Sequence, residues 1–421
     1  MQHQLLLDYE FVTTQDGYVV RALLQLVGQT TTSASRVPLN LALVLDRSGS
    51  MGGEKLEAAR DAAAFLVRRL APDDLVSIVT YDDGVHTLVQ PGDGRSRTGL
   101  AQAINTIEPG GSTNLSGGWL RGRELVVAGR REPGMNRVLL LTDGLANVGI
   151  RDPQQLTSLC ANARTNGVST STIGFGADYD EALLRAMADA GGGNAYYIET
   201  PDQAPGVFEE EIEGLLSLAA QNVAVEVRPS AAVRLTALLH DYPSSAVAGG
   251  RRVELGDIYA REPKSLALEF LVPALADTAE VMIAEIIIEA HVLTADGGVM
   301  RQVVQVPVRT PLSRAGHNEP VVKQEVLLAQ AARVREESLR RRNHGDTDGA
   351  GSVLRAMARD LRGVAEGNPL LEEQVNDLNA MAERMELKMF DAADAKYVAQ
   401  RAYNAHRGKR LYEKKLERKP R

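Results

Sequence analysis

Short aliphatic runs alternate with helix-like stretches between Leu39 and Ala220, and this alternation constrains the fold more than any other feature. Apolar strands that are each followed by a helical pattern are typical of a parallel sheet covered by helices on both sides. We therefore predict an α/β doubly wound, Rossmann-like domain over residues 36–221. Its strands are predicted at Leu39–Leu45, Leu75–Tyr81, Arg137–Thr142, Val168–Ile173 and Ala195–Ile198. Its helices are predicted at Glu54–Leu70, Leu115–Gly129, Pro153–Asn166, Asp180–Ala190 and Pro205–Ala220.

The pattern changes on both sides of this domain. Residues 4–27 read as two strands around the turn Gln15-Asp16-Gly17, and residues 222–310 contain further strand-like stretches such as SLALEFLVP. We predict that these strands form one antiparallel β-sandwich. If the early and late strands pair, the α/β domain is inserted in that sandwich. The predicted divisions are therefore 1–35 and 222–315 for the sandwich, with 36–221 between them.

Residues 316–421 form the last predicted division, a C-terminal helical region with a basic tail. Helix breaks are predicted at Asn343-His344-Gly345 and at Gly367-Asn368-Pro369. An amphipathic stripe, predicted to pack on another helix of this chain or of a partner, consists of Leu371, Val375, Leu378, Met381 and Met385. The tail has two acidic residues, Glu413 and Glu417, and its basic residues are Lys396, Arg401, Arg407, Lys409, Arg410, Lys414, Lys415, Arg418, Lys419 and Arg421.

The composition, net charge and cysteine content limit which classes of protein this chain can belong to. A hydrophobic content of 44% in 421 residues can supply the cores of two or three domains, and a net charge of -8 argues against a protein that coats nucleic acid. The N-terminus has no secretory pattern, and no segment is apolar for long enough to span a membrane. The single cysteine, Cys160, fits a reducing compartment. We therefore expect a cytoplasmic protein.

In the run LALVLDRSGSMGG, a predicted buried strand ends in Asp46 and is followed by Ser48 and Ser50, so three oxygen-bearing side chains follow an apolar segment. Two further loops follow the same sheet edge and offer Thr113, in GGSTNLSGG, and Asp143, after VLLLT. The carboxyl ends of parallel strands form the natural ligand crevice of such a sheet. Three hydroxyls and two carboxylates are hard oxygen donors, which suit Mg²⁺ or Mn²⁺.

These residues carry a family resemblance. The set D-x-S-x-S at Asp46–Ser50, the threonine of GGST at Thr113 and the aspartate of LTDG at Asp143 resembles the complete metal-ion-dependent adhesion site of von Willebrand factor type A domains. The stretch TIGFGADYDEALLRAMADAGGGNAYYI is similar to the last third of that family. The resemblance runs from about Val37 to Ala220, and it implies a bacterial-type intracellular protein.

The resemblance implies a set of roles. Ser48, Ser50 and Thr113 would contact the metal, and Asp46 and Asp143 would act directly or through water. The extra serine in GGST leaves Ser112 as an alternative third hydroxyl. A partner's Asp or Glu would complete the coordination of the ion, so the expected function is metal-dependent protein interaction, as a scaffold or regulatory subunit, with no enzymatic activity.

The insertion in a sandwich is similar to the arrangement of integrin β chains, where movement of the last helix of the adhesion-site domain couples ligand binding to the sandwich. The corresponding helix here is the one predicted at Pro205–Ala220, which runs into NVAVEV. This resemblance implies that ligand binding at the metal site is coupled to the sandwich through that helix.

Two alternative functions remain open at this point. The basic tail suggests a nucleic-acid-associated factor, and the carboxylates suggest, more weakly, a metal-dependent hydrolase. The turn DRSGSMGGEK lacks the GK[ST] ending of a phosphate-binding P-loop, and GFGADY has Tyr179 where a dinucleotide fingerprint needs its third glycine. The chain also has no HExxH or GxSxG motif.

Overall fold

The structure is a computed structural model that describes residues 1–13, 16–29, 37–130, 134–176, 179–260, 263–273, 280–294 and 298–406. It divides into two compact units. One comprises Met1–Gln29, Asn222–Ala290 and Arg301–Arg421, and the other comprises Thr30–Gln221 and His291–Met300. Among the described residues, no helix combines the length and apolar composition needed to cross a membrane.

The chain begins with two long strands, β1 (Gln2–Val12) and β2 (Gly17–Val27), which pair antiparallel in the first unit. The second unit then contributes β3 (Leu39–Asp46), β4 (Leu75–Tyr81), β5 (Val85–Val89), β6 (Met135–Thr142), β7 (Ser169–Phe175) and β8 (Gly192–Ile198). Its helices are α1 (Glu54–Arg69), α2 (Arg97–Asn105), α3 (Leu115–Ala128), α4 (Pro153–Thr165), α5 (Glu181–Gly191) and α6 (Ala204–Leu216).

The second unit has the predicted mixed α/β architecture. Its sheet has the strand order β5-β4-β3-β6-β7-β8, in which β5 pairs antiparallel with β4 and the other neighbouring strands pair parallel. All residues of β3 and β6 are buried, as expected for central strands covered on both faces. The strand order turns around β3, so the crevice of the doubly wound sheet lies at the end of that strand.

Two elements of this unit were missed by the sequence prediction. The strand β5 is a five-residue edge strand, and α2 is a nine-residue helix with a glycine in its first turn. Short elements of this kind carry too few apolar residues to establish a period. The strand and helix ends that were predicted differ from the observed ones by a few residues, as is usual at frayed termini.

The predicted helix Pro205–Ala220 is wrong at its C-terminal end. The helix α6 ends at Leu216, and the next strand, β9 (Leu218–Pro229), begins two residues later. Leu218 and Ala220 are buried in this strand, which takes a central position in a five-stranded sheet. Sheet pairing therefore overrides the helix propensity of leucine and alanine here.

The remaining strands are β10 (Arg234–Leu238), β11 (Ser244–Val247), β12 (Gly250–Tyr259), β13 (Pro263–Pro273), β14 (Val281–Leu293) and β15 (Val299–Thr310). They form two sheets, with the orders β1-β2-β13-β10 and β11-β12-β9-β14-β15. The long strand β2 pairs antiparallel with β13, with Leu24 opposite Leu266. The early strands therefore pair with a strand that follows the second unit in sequence.

The chain after Glu319 is helical, as predicted, and folds into α7 (Pro320–Asn343), α8 (Thr347–Ala365), α9 (Pro369–Glu386) and α10 (Ala392–His406). Both predicted breaks are confirmed, and Gly345 and Gly367 adopt the positive φ that favours glycine there. The predicted stripe of α9 is buried in a core shared with α8, so it packs within this chain. The basic residues beyond residue 406 lie outside the described residues, whereas Arg401 is buried and pairs with Asp377 at 3.0 Å.

Candidate functional site

The strand β3 delivers Asp46 to the carboxyl edge of the sheet as a fully buried carboxylate. Its Oδ1 accepts a hydrogen bond from the backbone N–H of Ser48 at 2.8 Å, and its Oδ2 accepts one from the Thr142 hydroxyl at 2.6 Å. Burial raises the pKa of Asp46, and the hydrogen bonds from Thr142 and Ser48 only partly offset this effect. The carboxylate is therefore held in a fixed orientation in a place where its charge is poorly solvated.

The turn after β3 brings the two serines of the motif together. Residues Gly49–Met51 form a short 3₁₀ turn, and Met51 is buried beneath it. The Ser48 and Ser50 hydroxyl oxygens lie 3.2 Å apart, and the Ser50 hydroxyl donates to Asp143 Oδ1 at 2.7 Å. The first and third predicted loops thus meet through side chains.

Backbone hydrogen bonds join the second loop to the first. Gly49 N–H donates to the Gly111 carbonyl at 2.9 Å, and Gly110 N–H donates to the Arg47 carbonyl at 2.6 Å. Thr113 is buried, whereas Ser112 is exposed. These contacts hold the glycine-rich loop against the turn that follows β3.

The position of Gly144 shows which hydroxyl faces the site. A Cβ atom placed on Gly144 would lie 3.4 Å from the Thr113 hydroxyl oxygen and 3.7 Å from the Ser50 hydroxyl oxygen. Both hydroxyls therefore face the same small space beside residue 144. The backbone of the following loop is fixed there too, because Asn147 and Val148 N–H groups both donate to the Thr113 carbonyl, at 3.0 and 3.1 Å.

Asp143 follows β6 and has a fully buried side chain. Its Oδ1 accepts from Ser50, and its Oδ2 forms an ion pair of 2.6 Å with the Lys55 ammonium. The sequence prediction missed Lys55. A signal was available, since Lys55 lies in the first turn of α1, where the helix dipole disfavours a cation.

We call the side chains of Asp46, Ser48, Ser50, Thr113 and Asp143 the oxygen cluster. The structure thus brings together side chains from all three predicted loops.

Tyr81 lies on the next strand, and burial together with the nearby charges of Asp46 and Asp143 raises its pKa far above the usual value.

The donor chemistry of the oxygen cluster fits a small hard cation. Neighbouring ligands of a six-coordinate Mg²⁺ at about 2.1 Å lie about 3 Å apart, close to the observed 3.2 Å between the serine hydroxyls and 2.7 Å from Ser50 to Asp143. Within the described part of the chain, no group of three or more His, Cys, Asp or Glu side chains is arranged to hold a metal ion. Metal binding at this edge would therefore depend on the hydroxyls.

Comparison with known proteins identifies the family of the α/β domain. Residues 40–210 match the model of the von Willebrand factor type A domain family. The chain contains a von Willebrand factor type A domain. The uncharacterised protein YfbK of Escherichia coli is 34% identical over 190 residues, which are 45% of this chain and 33% of YfbK. The chain spans less than half the length of the curated relatives it matches first.

Two solved structures share the fold over almost the whole chain. A von Willebrand factor type A protein from Catenulispora acidiphila is 16% identical, with a TM-score of 0.68, and covers 91% of this chain and 89% of its own. The ArnB paralog VWA2 of Sulfolobus acidocaldarius is 18% identical, with a TM-score of 0.62, and covers 97% of this chain and 98% of its own. At these identities the similarity shows the fold alone.

Proposed function

We propose that the von Willebrand factor type A domain binds Mg²⁺, or Mn²⁺ in its place, and uses the ion to bind a carboxylate of a partner protein. The observation that carries the proposal is the meeting of three loops in one cluster of oxygen donors. The ligands would be Asp46, Ser48, Ser50, Thr113 and Asp143. We propose Thr113 over Ser112 because the Thr113 hydroxyl faces Gly144 and the Ser50 hydroxyl.

Neutral hydroxyls suit a binding role. They supply oxygen atoms without cancelling the charge of the ion, so the bound ion would keep an affinity for an external Asp or Glu. The hydrogen bonds that fix Asp46 and Ser50 hold these donors in place before any ligand arrives.

A protein partner is favoured over a small anion by the surface beside the cluster. Leu145 and Val148 follow Asp143 in sequence, and they are 53% and 37% exposed. Exposed apolar side chains beside a polar site are typical of protein interaction surfaces. Domains of this family typically mediate protein–protein interactions. We therefore propose a non-enzymatic scaffold or regulatory subunit, and we place it in an intracellular assembly because the single cysteine, Cys160, is free and buried.

We further propose that the domain, with boundaries near residues 36 and 221, is inserted in a β-sandwich made by the two other sheets. Pairing of β2 with β13 supports this insertion, since these strands lie on either side of the domain in sequence. The helix α6 would couple the metal site to the sandwich, because only Ser217 separates its end from β9.

The first test is metal binding by the full chain. Asp46→Ala removes a carboxylate of the cluster, so we expect the affinity for Mn²⁺, measured by titration calorimetry, to fall by about 100-fold or more. Asp61→Ala, an exposed aspartate of α1, is the matched control and should leave the affinity unchanged. Unchanged affinity in Asp46→Ala would refute the metal site.

The same variants test the partner. Proteins captured from the native cell by the full chain in Mg²⁺ should be released by EDTA, and Asp46→Ala should fail to capture them. Capture that survives EDTA, is lost at high salt and requires nucleic acid would instead support the nucleic-acid alternative.

A further inference from the structure

Lys55 forms an ion pair with Asp143, a member of the oxygen cluster. Its ammonium lies 2.6 Å from Asp143 Oδ2, and its side chain is 30% exposed, so it reaches the cluster from the solvent side. Its stem also lies against the backbone at Gly176, where an added Cβ would be 3.5 Å from Cε and Nζ of Lys55. The ammonium is thus held at the site by its ion pair with Asp143, and the end of the Lys55 side chain passes close to the loop that follows β7.

The local helix does not explain this placement. A cation in the first turn of α1 faces the positive end of the helix dipole, and immobilising a lysine side chain costs conformational entropy. The compensating interaction is the ion pair with the buried carboxylate of Asp143. This carboxylate is also a proposed metal ligand, so Lys55 and a divalent cation draw on the same charge.

The two oxygens of Asp143 are divided between these roles. Oδ2 is on Lys55, and Oδ1 accepts from Ser50 inside the cluster. Only Oδ1 therefore faces the donors that would surround a metal ion. Lys55 fixes this orientation, and it also withdraws negative charge from the site.

The charge of the loaded site follows from these groups. The carboxylates of Asp46 and Asp143 together balance the charge of one divalent cation, and the Lys55 ammonium leaves one positive charge in excess. Positive charge at a partly desolvated site opposes the binding of a further cation and favours an anion.

We infer that Lys55 is a specificity-determining residue of this site, which weakens metal binding and in return makes the loaded site selective for a carboxylate ligand. This inference rests on the proposed function, since it presupposes that the cluster binds the metal. It predicts effects of opposite sign on the two ligands, which a purely structural role for Lys55 would not produce.

The test uses the full chain with Lys55→Met, which removes the charge and keeps the length of the side chain, and with Lys55→Arg, which keeps the charge. Mn²⁺ affinity is measured by titration calorimetry. Acetate is the carboxylate probe. Its binding to the Mn²⁺-loaded protein is measured as a decrease in the water proton relaxation rate, because acetate displaces water from the ion.

We expect Lys55→Met to bind Mn²⁺ about three- to tenfold more tightly and, once loaded, to bind acetate about three- to tenfold more weakly. Lys55→Arg should stay within about twofold of the parent in both measurements. If Lys55→Met proves unstable without metal, Lys55→Gln is measured in its place.

Unchanged affinities in the charge-removing variant, or changes of the same sign for Mn²⁺ and acetate, would overturn the inference while leaving the metal site intact. Failure of the parent protein to bind Mn²⁺ would refute the proposed function and, with it, this role for Lys55.

Discussion

The von Willebrand factor type A domain has two buried polar clusters that differ in how fully their charges are satisfied. The oxygen cluster lies at the carboxyl ends of the strands. The second, which we call the Glu211 cluster, lies where β6, β7 and β8 begin. It consists of Glu211, Arg137, Ser171, Asn194 and Tyr196.

The Glu211 cluster is saturated. Glu211 Oε1 accepts from Arg137 at 3.1 Å and from the Ser171 hydroxyl at 2.6 Å, and Oε2 accepts from the Tyr196 hydroxyl at 2.7 Å and from the Asn194 amide at 3.1 Å. Burial alone would raise the pKa of Glu211, but the charge of Arg137 and the hydrogen bonds outweigh burial and lower it.

In the oxygen cluster the balance is reversed. Burial dominates at Asp46 and raises its pKa, although Thr142 and Ser48 donate to it. Ser50 is an exposed residue and Lys55 is partly exposed, so this cluster is accessible to solvent on their side. A buried charge that is paired with an opposite charge suits a structural role, whereas buried carboxylates beside a solvent-accessible edge suit the binding of a ligand.

Removing the charge of Glu211 should have a large effect on the stability of the domain. Glu211→Gln removes the charge that balances Arg137, which is fully buried, so we expect the free energy of unfolding to fall by about 3–5 kcal/mol. Urea denaturation of the full chain measures this free energy from the unfolding transition of the von Willebrand factor type A domain. Glu209→Gln, on the same helix, breaks only a solvent-exposed pair with Arg69 and should cost less than about 1 kcal/mol.

The cost of Glu211→Gln in unfolding free energy should depend on pH. The folded-state pKa of Glu211 lies below the ordinary value for a glutamate, so its contribution to stability is full at pH above that ordinary value and is lost as the pH falls towards the folded-state pKa. The difference in unfolding free energy between the parent and Glu211→Gln should therefore shrink below that ordinary value. A difference that grows on acidification, or equal costs for the two glutamine variants, would contradict the assigned role.

The two clusters also differ in how far they could be predicted from sequence. Asp46, Ser48 and Ser50 lie within five residues at the end of an apolar run, and Thr113 and Asp143 follow turn or strand signals of their own. The rule that ligands bind at the carboxyl ends of parallel strands then places them together. The Glu211 cluster has no such local pattern, because Arg137, Ser171 and Glu211 lie on separate elements and meet only after folding.

Other features that the sequence prediction missed also lack a local pattern. The strand β5 and the helix α2 are too short to show a period, and the end of α6 is set by the pairing of β9 with its neighbours. Lys55 has no oxygen atom in its side chain and so does not fit a metal-ligand pattern, and its link to the cluster is the contact with Asp143. Long periodic segments are predictable, whereas single charges that pair across loops are not.

A smaller effect is expected from loosening the oxygen cluster without removing a ligand. Thr142→Val keeps the shape of the side chain but removes the donor to Asp46 Oδ2 and the acceptor for the Gly144 N–H. We expect the Mn²⁺ affinity of the full chain, measured by calorimetry, to fall by about tenfold. The control is Thr157→Val, whose hydroxyl bonds only to carbonyls of its own helix. Equal affinities in both valine variants would mean that Asp46 needs no support from Thr142.

The weakest change is expected for a variant of the Glu211 cluster whose effect is measured as ligand affinity at the oxygen cluster. Glu211 lies on α6, and its bonds to Arg137, Ser171 and Tyr196 hold that helix against the sheet. If α6 shifts when a carboxylate fills the metal site, the shift must break or rearrange these bonds, so weakening them lowers its cost.

Reciprocity then requires the same change to strengthen ligand binding. We expect Mn²⁺-loaded Glu211→Gln to bind acetate about fivefold more tightly than the parent, a coupling of about 1 kcal/mol. Ser171→Ala, which removes one of the hydrogen bonds to Glu211, replaces it if the first variant does not fold. Glu209→Gln should match the parent, because its surface ion pair does not tie α6 to the sheet. Equal acetate affinity in all variants would mean that the domain binds its ligand without moving α6, and that ligand binding is not coupled to the strand β9 that follows this helix.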